Sequence, residues 1–256
     1  MTGDRAGVLP KAMRVLTAYG PDDHVLTFTE LRGRTELAKA TLHRVAADMV
    51  SAGLLERHDE GYRLSGRIFE IGMRAATGRG LLELATPYLE ELYGQLRETV
   101  HFGIRDGDEV VYLSKTVGHR AVAAPSRLGG RMPLHVTAIG KVLLAHAPAE
   151  VRARVLGGPL ARHTPRTVVA PGLLERELEQ VRATGAAFEF EESAPGLTCV
   201  GAPVREGSGS VVAAVSVSGP ITRFHAVRQR DLVVSVADGI GRALAGSGWS
   251  SAERNR

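Results

Sequence analysis

The stretch TFTELRGRTELAKATLHRVAADMVSAGLLERHDEGYRL, residues 27–64, decides the fold of the first third of the chain. An apolar stripe at helical spacing runs through its centre, formed by Leu42, Val45, Ala46, Met49 and Val50. Gly53 ends this helix. Upstream, Thr27 and Glu30 have the spacing of a capping box, in which hydroxyl and carboxylate each accept a free backbone amide. The stretch therefore predicts a short helix from Thr27 to about Arg34, a tight turn, and a longer amphipathic helix.

The residues on either side of these two helices complete a domain. A further helix is predicted from Pro10 to Tyr19, because apolar side chains recur there at helical spacing and Pro10 suits a first turn. Downstream, residues 54–57 and 62–64 form two short strands around a glycine-containing turn. Three helices, the second of them short, followed by a hairpin indicate a winged helix-turn-helix over residues 9–65.

The outer face of the third helix carries residue types that read DNA. Its N-terminal half presents Lys39, Ala40, Thr41, His43 and Arg44. Lysine and arginine can read guanine in the major groove, and threonine can bond bases or phosphates. The hairpin adds Arg57, His58 and Arg63, which are placed to touch phosphate or the minor groove. The alternative is a small helical domain whose charged side is only solvated.

Composition excludes several classes of protein. The 256 residues carry 32 Lys+Arg and 28 Asp+Glu, and the net charge of +4 permits a nucleic acid partner without requiring one. Cys199 is the single cysteine, which excludes an intramolecular disulfide framework and a cysteine-rich zinc site. No apolar run approaches the roughly 20 residues that span a bilayer, and residues 1–11 hold no apolar signal segment. We expect a cytoplasmic protein with no membrane contact, metal or cofactor.

The rest of the chain predicts a linker and a second domain. Residues 67–76 form a helical pattern with apolar side chains on or near one side, which places a linker helix within 66–80. Strands are predicted at 99–104, 109–114, 198–205 and 211–218, and helices at 81–96, 137–147, 171–185 and 225–246. Helices grouped around hairpins indicate an α+β fold with an antiparallel sheet in a second domain over 81–248.

Several motifs together resemble the IclR family of bacterial transcription regulators. In the first domain these are Thr29-Glu-Leu, Lys39-Ala-Thr-Leu-His-Arg44, Gly53-Leu-Leu-Glu-Arg57 and Gly61-Tyr-Arg-Leu64. In the second they are Gly129-Gly-Arg-Met-Pro-Leu-His135, Thr137-Ala-Ile-Gly-Lys141, Glu191-Glu192, Pro195-Gly-Leu-Thr-Cys199, Ala202-Pro-Val204 and Val215-Ser-Val-Ser-Gly-Pro220. The motifs follow the family's order over about residues 9–246, which makes the resemblance specific.

The resemblance implies a dimeric or tetrameric repressor or activator whose GAF-like second domain binds a small organic acid or a related metabolite. We expect a repressor that binds a pseudo-palindromic operator in double-stranded DNA as a homodimer or a dimer of dimers. The expected DNA contacts are Thr29, Lys39, Ala40, Thr41, His43, Arg44, Arg57 and Arg63. Two positions depart from the family: Glu36 stands where the turn usually has glycine, and Ala38 where proline or serine usually opens the recognition helix.

The same resemblance, taken residue by residue, places effector contacts at Met132, Ala138, Ile139, Glu189, Cys199, Ser216 and Ser218. Independently, Thr137 can cap the helix that begins at Ala138, and the free amides of such a helix end attract a carboxylate. Ser216 and Ser218 alternate along one strand, so their hydroxyls share a face. Apolar walls from Met132, Leu134 and the helix favour an aromatic or branched acid over a short dicarboxylate. The alternative for each residue is a role in the core, and Glu189 stands where the family can have aspartate.

Two other functions remain open from the sequence. An enzyme could assemble a nucleophile and a base from Ser216, Ser218, His101, His135, Lys141 and Cys199, but none of the common catalytic motifs is present. The other alternative is a ligand-sensing module with no DNA role, which the basic outer face of the third helix disfavours.

Overall fold

The computed structural model describes residues 7–20, 22–74 and 79–251. The chain divides into two compact units, Met1–Ala76 and Thr77–Arg256. In the first unit the elements are α1 (Val8–Thr17), α2 (Phe28–Thr35), α3 (Lys39–Ser51), β1 (Leu55–His58), β2 (Gly61–Leu64) and α4 (Gly66–Arg74). This order is that of a winged helix-turn-helix, with α3 as the recognition helix and the β1–β2 hairpin as the wing.

The predicted apolar stripe of α3 is the centre of the first unit's core. Leu42, Val45 and Met49 are buried there against Val15 of α1 and Leu31 of α2. The wing joins the core through an antiparallel bridge, in which Leu26 and Tyr62 exchange two backbone hydrogen bonds of 2.9 Å. Gly61 permits this approach, because an added Cβ would lie 2.1 Å from the carbonyl oxygen of Leu26.

The two helices of the helix-turn-helix, α2 and α3, differ in how well their N-termini are capped. The capping box at α2 is confirmed, since the Thr27 hydroxyl accepts the Glu30 amide and the Glu30 carboxylate accepts the Thr27 amide. Glu36, which follows α2, has a left-handed backbone with φ of 53°. Ala38 precedes α3 and supplies no side-chain cap. The turn therefore holds a residue with a Cβ in a conformation that favours glycine.

Replacing Glu36 by glycine is expected to raise the free energy of unfolding of the first domain by about 1 kcal/mol, because glycine adopts this conformation without a Cβ clash. Chemical denaturation followed by circular dichroism measures the change. Glu36→Ala is the matched control, since it removes the carboxylate but keeps the Cβ, and it should give no gain. Equal gains in both variants would attribute the effect to charge and contradict the backbone explanation.

The second unit is built on a sheet between two helical layers. Its elements are α5 (Arg79–Leu96), β3 (Thr99–Asp106), β4 (Glu109–Thr116), β5 (Arg131–Pro133), α6 (Ala138–Ala145), α7 (Ala149–Gly157), α8 (Pro171–Thr184), β6 (Ala187–Phe190), β7 (Leu197–Arg205), β8 (Val211–Pro220) and α9 (Arg230–Ser247). Short 3-10 helices precede α6 and α9, at Leu134–Val136 and Ala226–Gln229. Among the described residues the sheet has the order β5-β4-β3-β8-β7-β6, and every neighbouring pair is antiparallel.

Alternation along β8 gives the two faces of this sheet different chemistry. Val215 and Val217 point to one face, where α5 and α9 cover them in a continuous apolar core. Ser216 and Ser218 point to the other face, which α6 approaches closely. Gly201 of β7 makes room for α6, because a Cβ there would lie 3.1 Å from the Ala138 backbone. The sheet therefore presents a polar strip to the start of α6.

The predicted α+β class, winged domain and antiparallel sheet are confirmed, while several element ends move. The first helix begins two residues before Pro10 and ends at Thr17. The last helix is preceded by a 3-10 turn. The predicted linker helix is observed as α4, and Ala75 and Ala76 of that prediction lie outside the described residues. The predicted domain boundaries at 65–66 and 80–81 remain predictions.

Candidate nucleic-acid interface and ligand pocket

The recognition helix α3 directs its polar side chains away from the core. Lys39, Ala40, His43 and Arg44 are exposed, and Thr41 is half-buried. Lys39 and Arg44 have no ion-pair partner within the part of the chain that the structure describes. Because α3 has no side-chain cap, its first backbone amides are also open to an anion such as a DNA phosphate. Lys39 and Arg44 can therefore contact a nucleic acid without first breaking an ion pair within the protein.

Helix α2 fixes one of the candidate side chains. The ring of His43 stacks on Phe28 with centroids 4.1 Å apart and planes inclined by 25°. Thr29 is exposed one residue further along α2. The stacking restricts the His43 rotamer, so this imidazole is held in one place before any partner arrives.

The wing holds its two arginines by contacts along its own strands. The Arg57 guanidinium lies 5.7 Å from the centroid of the Tyr62 ring. Arg63 pairs with Glu56, with 2.6 Å between Nη2 and Oε2. Both arginines are exposed, and an exposed ion pair contributes only about 0–1 kcal/mol. Arg63 could therefore exchange the Glu56 carboxylate for a DNA phosphate at little cost in free energy.

The second unit contains a small cavity between the sheet and the start of α6. Six of the seven predicted effector residues line it: Met132, Ala138, Ile139, Cys199, Ser216 and Ser218. They come from β5, α6, β7 and β8, which are far apart in the sequence and meet only in the folded domain. The cavity thus joins apolar walls to two serine hydroxyls, the composition typical of a small-molecule pocket.

Two polar features of this cavity have unfilled hydrogen-bonding capacity. The Ser218 hydroxyl is buried; it contacts the Cys199 thiol and has no oxygen or nitrogen partner among the described residues. The predicted cap at α6 is present, since the Thr137 hydroxyl accepts the Gly140 amide at 2.9 Å. The amides of Ala138 and Ile139 precede the first intrahelical bond and lack acceptors within α6. The arrangement offers a hydroxyl and the positive end of a helix to an anionic or polar ligand.

Glu189, the seventh predicted contact, does not line the cavity. It pairs with Cys199 in the β6–β7 register and is fully buried. Its Oε1 accepts the amides of Glu192 and Ser193 at 2.6 and 3.0 Å, so the carboxyl organises the loop that brings Ser193 to the cavity. Burial raises the pKa of Glu189, and hydrogen bonds from the Cys199 thiol and from these two amides oppose the rise.

The sequence interpretation misassigned one wall residue and missed several others. Leu134 is buried under α6 in an apolar cluster and does not reach the cavity. The missed residues are His101, Tyr112, Ala124, Pro125, Ser126, Ser193 and Leu197, and Thr137, which was predicted only as a cap. Three of them lie in the loop between β4 and β5, where no periodic pattern marks a buried face. His101 Nε2 lies 2.8 Å from Ser126 Oγ, which attaches this loop to β3.

A buried cation of α6 contacts the loop that follows β6. Lys141 of α6 is 1% exposed, and its Nζ lies 2.5 Å from Glu192 Oε1 and 2.7 Å from Glu177 Oε2. Burial raises the pKa of Glu192, and the positive charge of Lys141 is the main effect that opposes the rise. The ion pair therefore ties α6 to the loop after β6 that Glu189 also holds.

A winged helix-turn-helix domain followed by a domain with an internal ligand cavity defines the class of ligand-controlled transcriptional regulators. Within the described ranges no helix is long and apolar enough to cross a membrane. The same ranges hold no cluster of metal-ligating side chains.

Comparison with known proteins gives the family. Residues 8–59 match the IclR helix-turn-helix domain, and residues 73–242 match the bacterial transcriptional regulator IclR C-terminal domain. The chain belongs to the IclR family of bacterial transcriptional regulators. The HTH-type transcriptional regulator BhcR of Paracoccus denitrificans is 34% identical over 226 residues, 86% of this chain and 81% of that protein. The HTH-type transcriptional regulator KdgR of Escherichia coli is 33% identical over 249 residues, 96% of this chain and 94% of that protein.

A solved structure extends the likeness to three dimensions. An IclR homolog from Microbacterium hydrocarbonoxydans, complexed with 4-hydroxybenzoate, superposes with a TM-score of 0.88 at 32% identity. The match covers 94% of this chain and all of that one.

Proposed function

We propose that this regulator is a repressor that binds a pseudo-palindromic operator and releases it when an aromatic carboxylic acid enters the second domain. The observation that carries the effector half is the cavity itself, whose lining brings Ser216 and Ser218 of β8 together with Ala138 and Ile139 in the first turn of α6. DNA as the other ligand implies the bacterial cytoplasm.

The proposed pose follows from the polarity of the cavity. The carboxylate of the acid meets the amides of Ala138 and Ile139 and the hydroxyls of Ser216 and Ser218. Its ring lies against Met132, Tyr112 and Leu197. A phenolic hydroxyl, where the acid has one, pairs with the polar side chains of His101 and Ser126. The complex of the Microbacterium homolog with 4-hydroxybenzoate supports this chemical class.

On the DNA side, we propose that α3 enters the major groove and that the wing contacts the flanking backbone. The contacts are Thr29, Lys39, Ala40, Thr41, His43, Arg44, Arg57 and Arg63. One such domain covers little DNA, so a two-fold dimer is expected to supply affinity through paired half-sites. The apolar side chains Phe69 and Ile71 of α4 are 71% and 48% exposed, which suits a helix that pairs with its mate. A footprint without a dyad, together with a monomer mass at micromolar protein, would contradict this.

Calorimetric titration tests the pocket. In the parent protein 4-hydroxybenzoate is expected to bind, and 4-hydroxybenzyl alcohol, which lacks the carboxylate, is not. Ser218→Ala is expected to weaken 4-hydroxybenzoate by about 1.5–3 kcal/mol, roughly 10- to 150-fold, because a hydrogen bond to a charged group is lost. Ser210→Ala, an exposed serine of the same domain, is the matched control. Full-strength binding to a Ser216→Ala, Ser218→Ala double variant would place the ligand elsewhere.

One observation favours the enzyme alternative, and a second weighs against it. His101 and Ser126 form a serine–histidine contact of 2.8 Å at the cavity wall. Burial, with a smaller effect from Lys115, lowers the pKa of His101 to about 3. An imidazole with so low a pKa is a weak general base near neutral pH, and a useful catalytic pKa lies near the working pH. We therefore propose that the contact holds the β4–β5 loop and has no catalytic role.

A further inference from the structure

A second cavity lies in the effector domain where α6 ends and α7 begins. Its volume is about 100 Å³, and it shares no lining residue with the effector cavity. Arg105 and His146 supply its polar wall, and Pro148, at the N-terminus of α7, also lines it. The amides of Ala149 and Glu150 have no side-chain cap there. The positive end of a helix and the guanidinium of Arg105 therefore meet at one cavity.

Arg105 lines this cavity, and three further arginines, Arg152, Arg182 and Arg205, lie near its His146 wall; all four bond mainly to backbone. Arg152 donates to the carbonyl of Ala147, Arg182 to Ala145, Arg205 to Gly209 and Arg105 to Gly107. Within the described residues none of the four forms an ion pair with a carboxylate. Asp108, the carboxylate near Arg105, is held by Arg154 through a bidentate pair. Glu150 is exposed and does not line the cavity.

His146, in the wall of this cavity, is affected by the positive charge of the nearby arginines. Its Nδ1 lies 3.0 Å from the Val142 carbonyl, and its Nε2 lies 2.9 Å from Arg205 Nη2. The Val142 carbonyl can only accept a hydrogen bond, so Nδ1 carries the proton. The Arg205 guanidinium can only donate, so Nε2 accepts with its lone pair. The imidazole is therefore neutral. Burial is the main cause that lowers the pKa of His146, the Val142 bond opposes it, and Arg205, Arg182 and Arg152 lower it further.

We propose that Arg105, Arg152, Arg182 and Arg205, the arginine cluster, bind the phosphoryl group of a small metabolite as an input separate from the aromatic acid. Guanidinium groups present planar, paired donors that match phosphate oxygens. Each arginine of the cluster has donors beyond those that its backbone bonds use. The free amides of α7 add the helix terminus that often accompanies phosphate sites. A multivalent anion would offset several positive charges that lack carboxylate partners.

The test is calorimetric titration of the full-length protein with inorganic phosphate, at constant ionic strength maintained with chloride. Arg205→Gln and Arg105→Gln are each expected to weaken phosphate roughly tenfold, because each removes a charge-assisted contact. Arg154→Gln is the matched control: it removes a neighbouring arginine that Asp108 already pairs, and phosphate binding should not change. Binding of 4-hydroxybenzoate should be the same in all three variants, so this proposal and the proposed effector pocket can fail independently.

Glucose 6-phosphate and glucose form the second arm of the experiment. Tighter binding of the sugar phosphate than of inorganic phosphate, with none for glucose, would support a phosphorylated metabolite as the source. Equal affinities would support free phosphate on the same groups. Absence of phosphate binding at millimolar concentration, or equal affinity in the parent and Arg205→Gln, overturns the proposal. If Arg205→Gln binds DNA more weakly and the parent binds no phosphate, the proposal is also overturned. The arginine cluster would then be a contact to the DNA backbone.

Discussion

Lys141→Met is expected to lower the free energy of unfolding of the effector domain by about 3–5 kcal/mol, one of the largest effects of a single substitution in this chain. Methionine fills the space of the lysine stem but leaves Glu192, which is buried, without its cation. Glu177 also loses a partner, although its side chain is partly exposed and water can solvate it. Chemical denaturation followed by circular dichroism measures the loss of unfolding free energy. We expect this loss to come mainly from the unpaired carboxylate of Glu192, because methionine leaves little space unfilled.

The pH dependence of the stability lost in Lys141→Met distinguishes an effect of charge from an effect of packing. A carboxyl whose folded pKa lies above its unfolded pKa destabilises the fold as pH rises through the interval between them. Burial already raises the pKa of Glu192, and removal of Lys141 would raise it further. The deficit of Lys141→Met should therefore be smaller at pH 5 than at pH 8.

The double variant Lys141→Met, Glu192→Gln is the matched control for the buried charge. It removes both charges and should recover part of the loss at pH 8, since replacing a buried pair costs less than breaking it. A deficit that is independent of pH and unrelieved by the second substitution would contradict this account.

The helices that the sequence predicted well are those whose signal is local. The stripe of α3, the capping box at Thr27 and the N-cap at Thr137 each need only neighbouring residues, and all three are present in the structure. The serine strip of β8 was equally accessible, because alternation alone determines the face of a strand. Motif resemblance then placed six of seven predicted effector residues around one cavity.

The features that the sequence did not predict depend on distant segments. Nothing near Lys141 in the apolar helix AIGKVLLA indicates that Glu177 and Glu192 will reach it. Glu189 was assigned to the ligand, but its side chain turns to the amides of the following loop. The wall from residues 124–126 comes from an irregular loop, whose position depends on contacts of Ser126 with two strands. Tertiary contacts of this kind leave no period in the sequence.

Arg44→Ala is expected to weaken operator binding by about 2–6 kcal/mol if the protein binds as the proposed dimer, because one guanine contact worth about 1–3 kcal/mol would be lost in each half-site. The side chain is exposed and lies off the apolar stripe of α3, so the fold should be unchanged. Fluorescence anisotropy with the labelled operator measures affinity, and substitution of each base pair in turn identifies the position at which specificity relaxes.

Lys39→Ala distinguishes base reading from phosphate contact at the start of the same helix. If Lys39 touches only phosphate, affinity should fall by a similar factor on every sequence, and the slope of log affinity against log salt should become shallower by about 0.9 for each lost contact. Arg228→Ala, an exposed arginine of the effector domain, removes the same charge outside the proposed interface and is the control for net charge. It should leave both affinity and slope nearly unchanged. If Arg44→Ala and Lys39→Ala both bind the operator as the parent does, α3 does not lie in the groove, and the wing becomes the surface to test next.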